Sequence, residues 1–279
     1  MNLSNCVEKG GDGMPQDKLE LSLRDSLAIS AALRLSLSDL FSRIRGIAAH
    51  EAMLTPYMRQ ELEGVLQDGY RLLRLADSLA TAENYELAET AAVVFPLWEE
   101  LERGLEAARL LLGANGRTLS YELPKSNDLV RGDAEMLMRA VLHLISNGLN
   151  AAEKESPVVV RGSIAGDQAV ITVIDYGCGI PPELMETVFR PYESRDRNGL
   201  SYQSPGLGLP LARRVLEAHG GSLRLVSNDT GTAAICSLPL CTAPQTLHHP
   251  APQYLEDLFS PLYTVLCNEI APPWPYPEN

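Results

Sequence analysis

No uncharged apolar run in the 279 residues approaches the ~18 that a membrane-spanning helix needs, so insertion across a bilayer is not expected. Positive charge is in the minority: 23 Lys and Arg stand against 36 Asp and Glu, for a net charge of −13. A chain of that sign has no general grip on nucleic-acid phosphates or anionic lipid. Residues 1–18 lack the apolar core of a signal peptide; Glu8, Lys9, Gly10, Gly11 and Asp12 read instead as a loose arm. Cysteine is scarce too. Cys6, Cys178, Cys236, Cys241 and Cys267 form no CxxC pair and leave one over, which speaks against a disulfide framework or zinc site and for reduced thiols in the cytoplasm.

What is present divides by pattern. Across residues 19–82, Leu33, Leu37, Leu40, Ile44 and Ile47 alternate steps of four and three. A break at His50 to Pro56 follows, with Pro56 suited to a first helical turn behind Thr55. Met58, Leu62, Val65, Gly69, Leu72, Ala76 and Leu79 then repeat the spacing. Two seamed helices make a hairpin, which buries its stripe either by dimerising into a four-helix bundle or by closing against the rest of the chain. Residues 83–92 read as a linker. Residues 93–240 alternate helix and strand: helices near Pro96–Leu112, Asp133–Glu153 and Leu207–His219, strands near Thr118–Leu123, Val158–Ile164, Gln168–Ile174, Ser222–Val226 and Thr232–Leu238. The class expected is α+β, a long helical hairpin followed by a two-layer α/β sandwich. Residues 241–279 carry eight prolines and a short apolar face, Leu255 to Leu266. That tail is either partly disordered or docked on its own chain or a partner.

Chemistry concentrates between residues 143 and 210. Asp175 ends a strand and opens Asp175-Tyr176-Gly177-Cys178-Gly179, where a carboxylate can accept from an amine and two glycines admit a flat ligand. About thirty residues earlier, His143, Asn147 and Asn150 are polar positions on an apolar helix, and buried amides need polar partners. About thirty residues later, Gly206-Leu207-Gly208 opens a helix whose N-terminal amides suit a phosphate. Each segment alone could be a turn or a spacer. In this order and spacing they reinforce one another.

Residues 93–240 resemble the ATP-binding domain of sensor histidine kinases, in the superfamily shared with type II topoisomerases, Hsp90 and MutL. The resemblance implies Mg-ATP as ligand, with Asn147 as the magnesium-binding asparagine. It places Asp175 on the adenine amine, Gly177 and Gly179 along the base, and Gly206, Leu207 and Gly208 around the phosphates. Asn150 falls near the phosphates, where relatives often carry a basic residue. Phe189-Arg190-Pro191-Tyr192 looks like the hinge of the lid, and Arg195 and Arg197 are either lid contacts or solvated surface charge. Residues 19–82 are similar to the family's dimerisation and phosphotransfer hairpin, which implies a cytoplasmic homodimer engaging a response regulator or partner kinase.

Departures from the pattern matter. The phosphoacceptor position carries Leu35, its acidic neighbour is Ser36, and neither can act as nucleophile or base. Leu35 lies off the apolar stripe and should face outward. His143 is either a weak candidate base or a polar spacer at a domain surface. Ser204 and Pro205 replace a glycine and a small residue of the phosphate loop, which should weaken the grip without abolishing it. Two functions follow: an ATP-dependent phosphotransferase acting on a partner, or a non-catalytic relative whose bundle docks a response regulator or another kinase. An anti-sigma-type serine kinase is disfavoured by the long hairpin.

Overall fold

The computed structural model describes residues 16–50, 54–83, 93–191, 206–241 and 253–273. Two long helices come first, α1 (Gln16–Ala48) and α2 (Pro56–Glu83). α1 starts three residues before the expected Leu19, so the arm does not reach residue 18. At the start of α2, Thr55 Oγ1 accepts from the Met58 amide at 3.2 Å. The helices pack through Leu37, Phe41 and Ile44 against Leu66, Tyr70 and Leu73. A Cβ at Gly69 would fall 2.5 Å from the Phe41 ring, so their close approach depends on that glycine.

Each heptad seam is divided in two. Leu37 and Ile44 turn into the hairpin, whereas Leu33 and Ile47 stay exposed. On α2, Gly69 and Ala76 are buried, while Met58, Val65 and Leu72 are exposed at seven-residue intervals. The hairpin therefore closes against its own chain on one side and keeps an apolar stripe on the other.

The next unit runs β1 (Val93–Pro96), α3 (Leu97–Ala114), β2 (Leu119–Glu122), β3 (Leu129–Gly132), α4 (Ala134–Ala151), β4 (Val158–Ala165), β5 (Gln168–Asp175), α5 (Gly208–Ala218), β6 (Ser222–Asn228) and β7 (Gly231–Pro239). Its five-stranded sheet has the order β2-β4-β5-β7-β6, with β2 parallel to β4 and the other pairs antiparallel. This is the expected α+β class. β1 and β3 were not expected; they form a separate antiparallel pair, Val93 opposite Gly132. β5 alternates buried and half-buried positions, so Ala169, Ile171 and Val173 face the helices. Leu101, Leu105, Leu142, Ile145 and Leu149 meet them there and make the core.

The tail is docked. Residues 253–273 carry a short helix, α6 (Pro261–Val265), packed on α2 and α4. Leu262, Val265, Leu266 and Ile270 are buried, so the disordered reading does not hold for these residues. Phe259 stacks on Phe41 at 5.9 Å between ring centroids, and Tyr263 lies 6.2 Å from Tyr70. A buried ion cluster joins hairpin to sandwich. Asp77 Oδ1 accepts from Arg34 Nε and Nη2 at 2.9 and 2.6 Å, and its Oδ2 accepts from Arg139 Nη1 at 2.8 Å. Among the described residues no helix is long and apolar enough to cross a membrane. The linker expected at 83–92 lies outside the described residues beyond Glu83.

Candidate nucleotide site

Three segments meet where α4, the end of β5 and the start of α5 converge. α4 is launched by Asp133, whose Oδ1 accepts from the Glu135 and Met136 amides at 2.9 and 3.0 Å. The Asp133 amide donates to His219 Nε2 at 3.0 Å, tying the start of α4 to the end of α5. On the far half of α4, a Cβ built at Gly148 would sit 3.0 Å from the Asp175 Cβ. The helix thus rests directly on the strand end that carries the carboxylate.

Asp175 is buried. Its Oδ1 accepts from the Gly177 amide at 2.9 Å and the Thr232 amide at 3.2 Å. Oδ2 takes no hydrogen bond among the described residues. Burial raises the carboxyl above its ordinary range, and the two amides pull it part of the way back. One oxygen is oriented and the other left open, an acceptor for which the described residues supply no donor. Thr232 was not singled out by sequence; its β-bridge to Asp175 is a pairing made only in the sheet.

The glycines of this loop serve the chain before any ligand. Gly179 sits at φ +66, and a Cβ there would be 1.7 Å from the Asn228 carbonyl oxygen. At Gly177 it would be 2.4 Å from the Ala151 carbonyl oxygen. Both absences let the loop close, with the Ile180 amide donating to Ser227 Oγ at 2.8 Å.

Asn147 is half-buried and faces α5. A Cβ at Gly208 would lie 3.4 Å from Asn147 Nδ2, Asn147 Oδ1 and His143 Nδ1 alike. The missing side chain leaves a cradle beside that amide. Gly206 takes φ +68, and Leu207 caps α5 with no side-chain hydrogen bond, so among the described residues no side chain caps the first amides of the helix. The residues present therefore fit a phosphate and a divalent cation near Asn147.

His143 is not at a surface. It is 3% exposed, and burial, helped by the charges of Arg74 and Arg139, holds its pKa well below the usual histidine value. Its Nδ1 is buried with no hydrogen-bond partner among the described residues. Asn150 is exposed, but its Nδ2 donates to the Ser146 carbonyl at 2.8 Å and to Glu269 Oε1 at 2.6 Å. Ser146 Oγ donates to the same Glu269 oxygen at 2.6 Å. Sequence reading missed Glu269; its one signal was an acid set between Cys267 and Ile270 on an apolar face. Tyr192, Arg195, Arg197, Ser204 and Pro205 lie outside the described residues.

On the hairpin, Leu35 is 73% exposed, and Ser36 Oγ donates back to the Ala32 carbonyl at 2.9 Å. His50 lies exposed beyond the end of α1. Cys178 is exposed beside Gly179, whereas burial pushes the Cys236 thiol up to about 12. Among the described residues no group of three or more His, Cys, Asp or Glu is placed to hold a metal ion.

Residues 132–242 match the family of histidine kinase-, DNA gyrase B- and HSP90-like ATPases. That match identifies this stretch, not the whole chain, as a domain of the histidine kinase-type ATPase family. The circadian input-output histidine kinase CikA of Synechococcus elongatus is 28% identical over 181 residues, 62% of this chain and 24% of that one. Histidine protein kinase DivJ of Caulobacter vibrioides is 31% identical over 172 residues, 61% of this chain and 28% of that one. Sensor protein DivL of the same organism is 33% identical over 139 residues, 50% and 17% of the two chains. The chain therefore spans no more than 28% of the length of these relatives. In fold it is similar to full-length ShkA solved with AMPPNP, at a TM-score of 0.62 and 19% identity over 80% of this chain and 47% of that one.

Proposed function

We propose that this chain binds Mg-ATP between α4, the end of β5 and the start of α5. It would act in two-component signalling on or beside a partner rather than autophosphorylating on α1. The observation that carries the nucleotide reading is Asp175: a buried carboxylate with Oδ1 held by two amides and Oδ2 open to the adenine amine. Asn147 supplies an amide oxygen for magnesium, which takes few protein ligands and completes its shell with phosphate oxygens and water. Bound magnesium would neutralise the phosphates; the chain's own part is to orient them against the α5 amides and seat the base. The names of CikA and DivJ, and the AMPPNP held by ShkA, support this reading. Calorimetry with Mg-AMPPNP tests it: weak binding is expected, and no heat at millimolar nucleotide would sink the proposal.

The second activity reading, a non-catalytic scaffold, is favoured by Leu35. An exposed leucine offers no nucleophile where in-line transfer needs one. His50, fifteen residues on, is about 22 Å away along a helix and cannot stand in. Incubation with γ-labelled ATP, alone and with candidate receiver proteins, separates the two. Acid-labile label on the receiver supports a phosphotransferase, and label on neither supports the scaffold. Label mapped to His50 would overturn both. Leu35→His combined with Ser36→Glu should restore labelling of α1 where the ATP site is competent.

A further inference from the structure

Resting on the nucleotide reading above, we propose that residues 253–273 are an intramolecular strap that competes with nucleotide phosphate for Asn150. An amide nitrogen has two hydrogens to donate, and both of those on Asn150 are taken, by the Ser146 carbonyl and by Glu269 Oε1. Asn150 stands three residues from Asn147 on α4 and is its neighbour on the helix surface, so a phosphate oxygen that reaches it from the Asn147 cradle finds both side-chain donor hydrogens engaged. It finds instead the Glu269 side chain, whose Oε2 is buried with no hydrogen-bond partner among the described residues.

The strap reaches both units. On α2, Gln67 Nε2 donates to the Cys267 carbonyl, and Arg71 Nε donates to Asn268 Oδ1 at 3.2 Å. On the sandwich, the Ala271 amide donates to Asn115 Oδ1 at 2.7 Å. Just ahead of these anchors Leu262, Val265 and Leu266 are buried, so the segment is held by packing as well as by polar contacts. Glu269 is thus presented to α4 by a scaffold that also clamps the hairpin. Occupation of the site by phosphate and release of the strap are two sides of one equilibrium: the apparent affinity for nucleotide is lowered by the fraction of strapped chain.

The test uses the full chain and Mg-AMPPNP in three forms: wild type, Glu269→Ala and Gln67→Ala. Gln67 is on the hairpin and touches the strap at Cys267, so its effect on nucleotide has to pass through the strap. Both variants should bind roughly tenfold tighter than wild type, the gain expected when about nine-tenths of the chain is strapped at rest. In wild type, Mg-AMPPNP should speed hydrogen exchange at the Leu266 and Ile270 amides, which are bonded within the strap. Equal affinities with unchanged exchange overturn the strap and leave the nucleotide reading standing. Absence of binding by all three forms overturns both.

Discussion

Asp175, buried, and Glu269, half-buried, are carboxylates to which the two proposals give opposite tasks. Asp175→Asn keeps the shape and loses the acceptor, so nucleotide binding should weaken by about 1–3 kcal/mol, measurable by calorimetry; an unchanged Kd would move adenine elsewhere. At Glu269, burial raises the pKa, against the pull of Arg74 and of the hydrogen bonds from Ser146 and Asn150. The folded chain therefore holds this proton more tightly than the unfolded chain does. That contribution is whole below the ordinary glutamate range and is lost as pH rises through the raised value. Glu269→Gln keeps an oxygen for Ser146 and Asn150 without a charge to desolvate. Its Tm should match wild type near pH 4 and exceed it by a few degrees toward pH 8, and a gap that narrows with rising pH would show the sign to be wrong. Asp175 could be picked out by its place after a β-branched run. Glu269 could not, because its partners lie 123 and 119 residues away.

At the scale of elements, the junction between hairpin and sandwich is concentrated on Asp77, 4% exposed with two arginines on its oxygens. Asp77→Ala leaves Arg139 buried with only Glu135 at 3.2 Å, so urea unfolding should show a loss of about 3 kcal/mol, the cost of a stranded buried charge. A loss below ~1 kcal/mol would mean that Arg139 finds water. The helices around this junction were legible in their periods of three and four, and β5 in its β-branched alternation. β1 and β3 were not, since four residues such as Val93-Val94-Phe95-Pro96 are too short to show a period and owe their extended form to each other.

For the whole molecule, the exposed stripe of Met58, Val65 and Leu72 makes a second copy the expected cover, and light scattering should give about twice 30.4 kDa at tens of micromolar. Leu72→Glu, at a site 51% exposed, should return the mass to one chain without unfolding it. Leu40→Glu is a poorer probe, because Leu40 packs against the core. A wild-type mass near 30 kDa would rule out the dimer. By itself the sequence determined the class and the two helices of the hairpin, because each is written in neighbours within a turn or a strand. Only the tertiary structure decided which half of each heptad seam is covered, that His143 is buried, and that the tail lies on α4 with Glu269 on Asn150. Those outcomes depend on contacts between segments far apart in the chain, where burial and charge compete and no local period records the result.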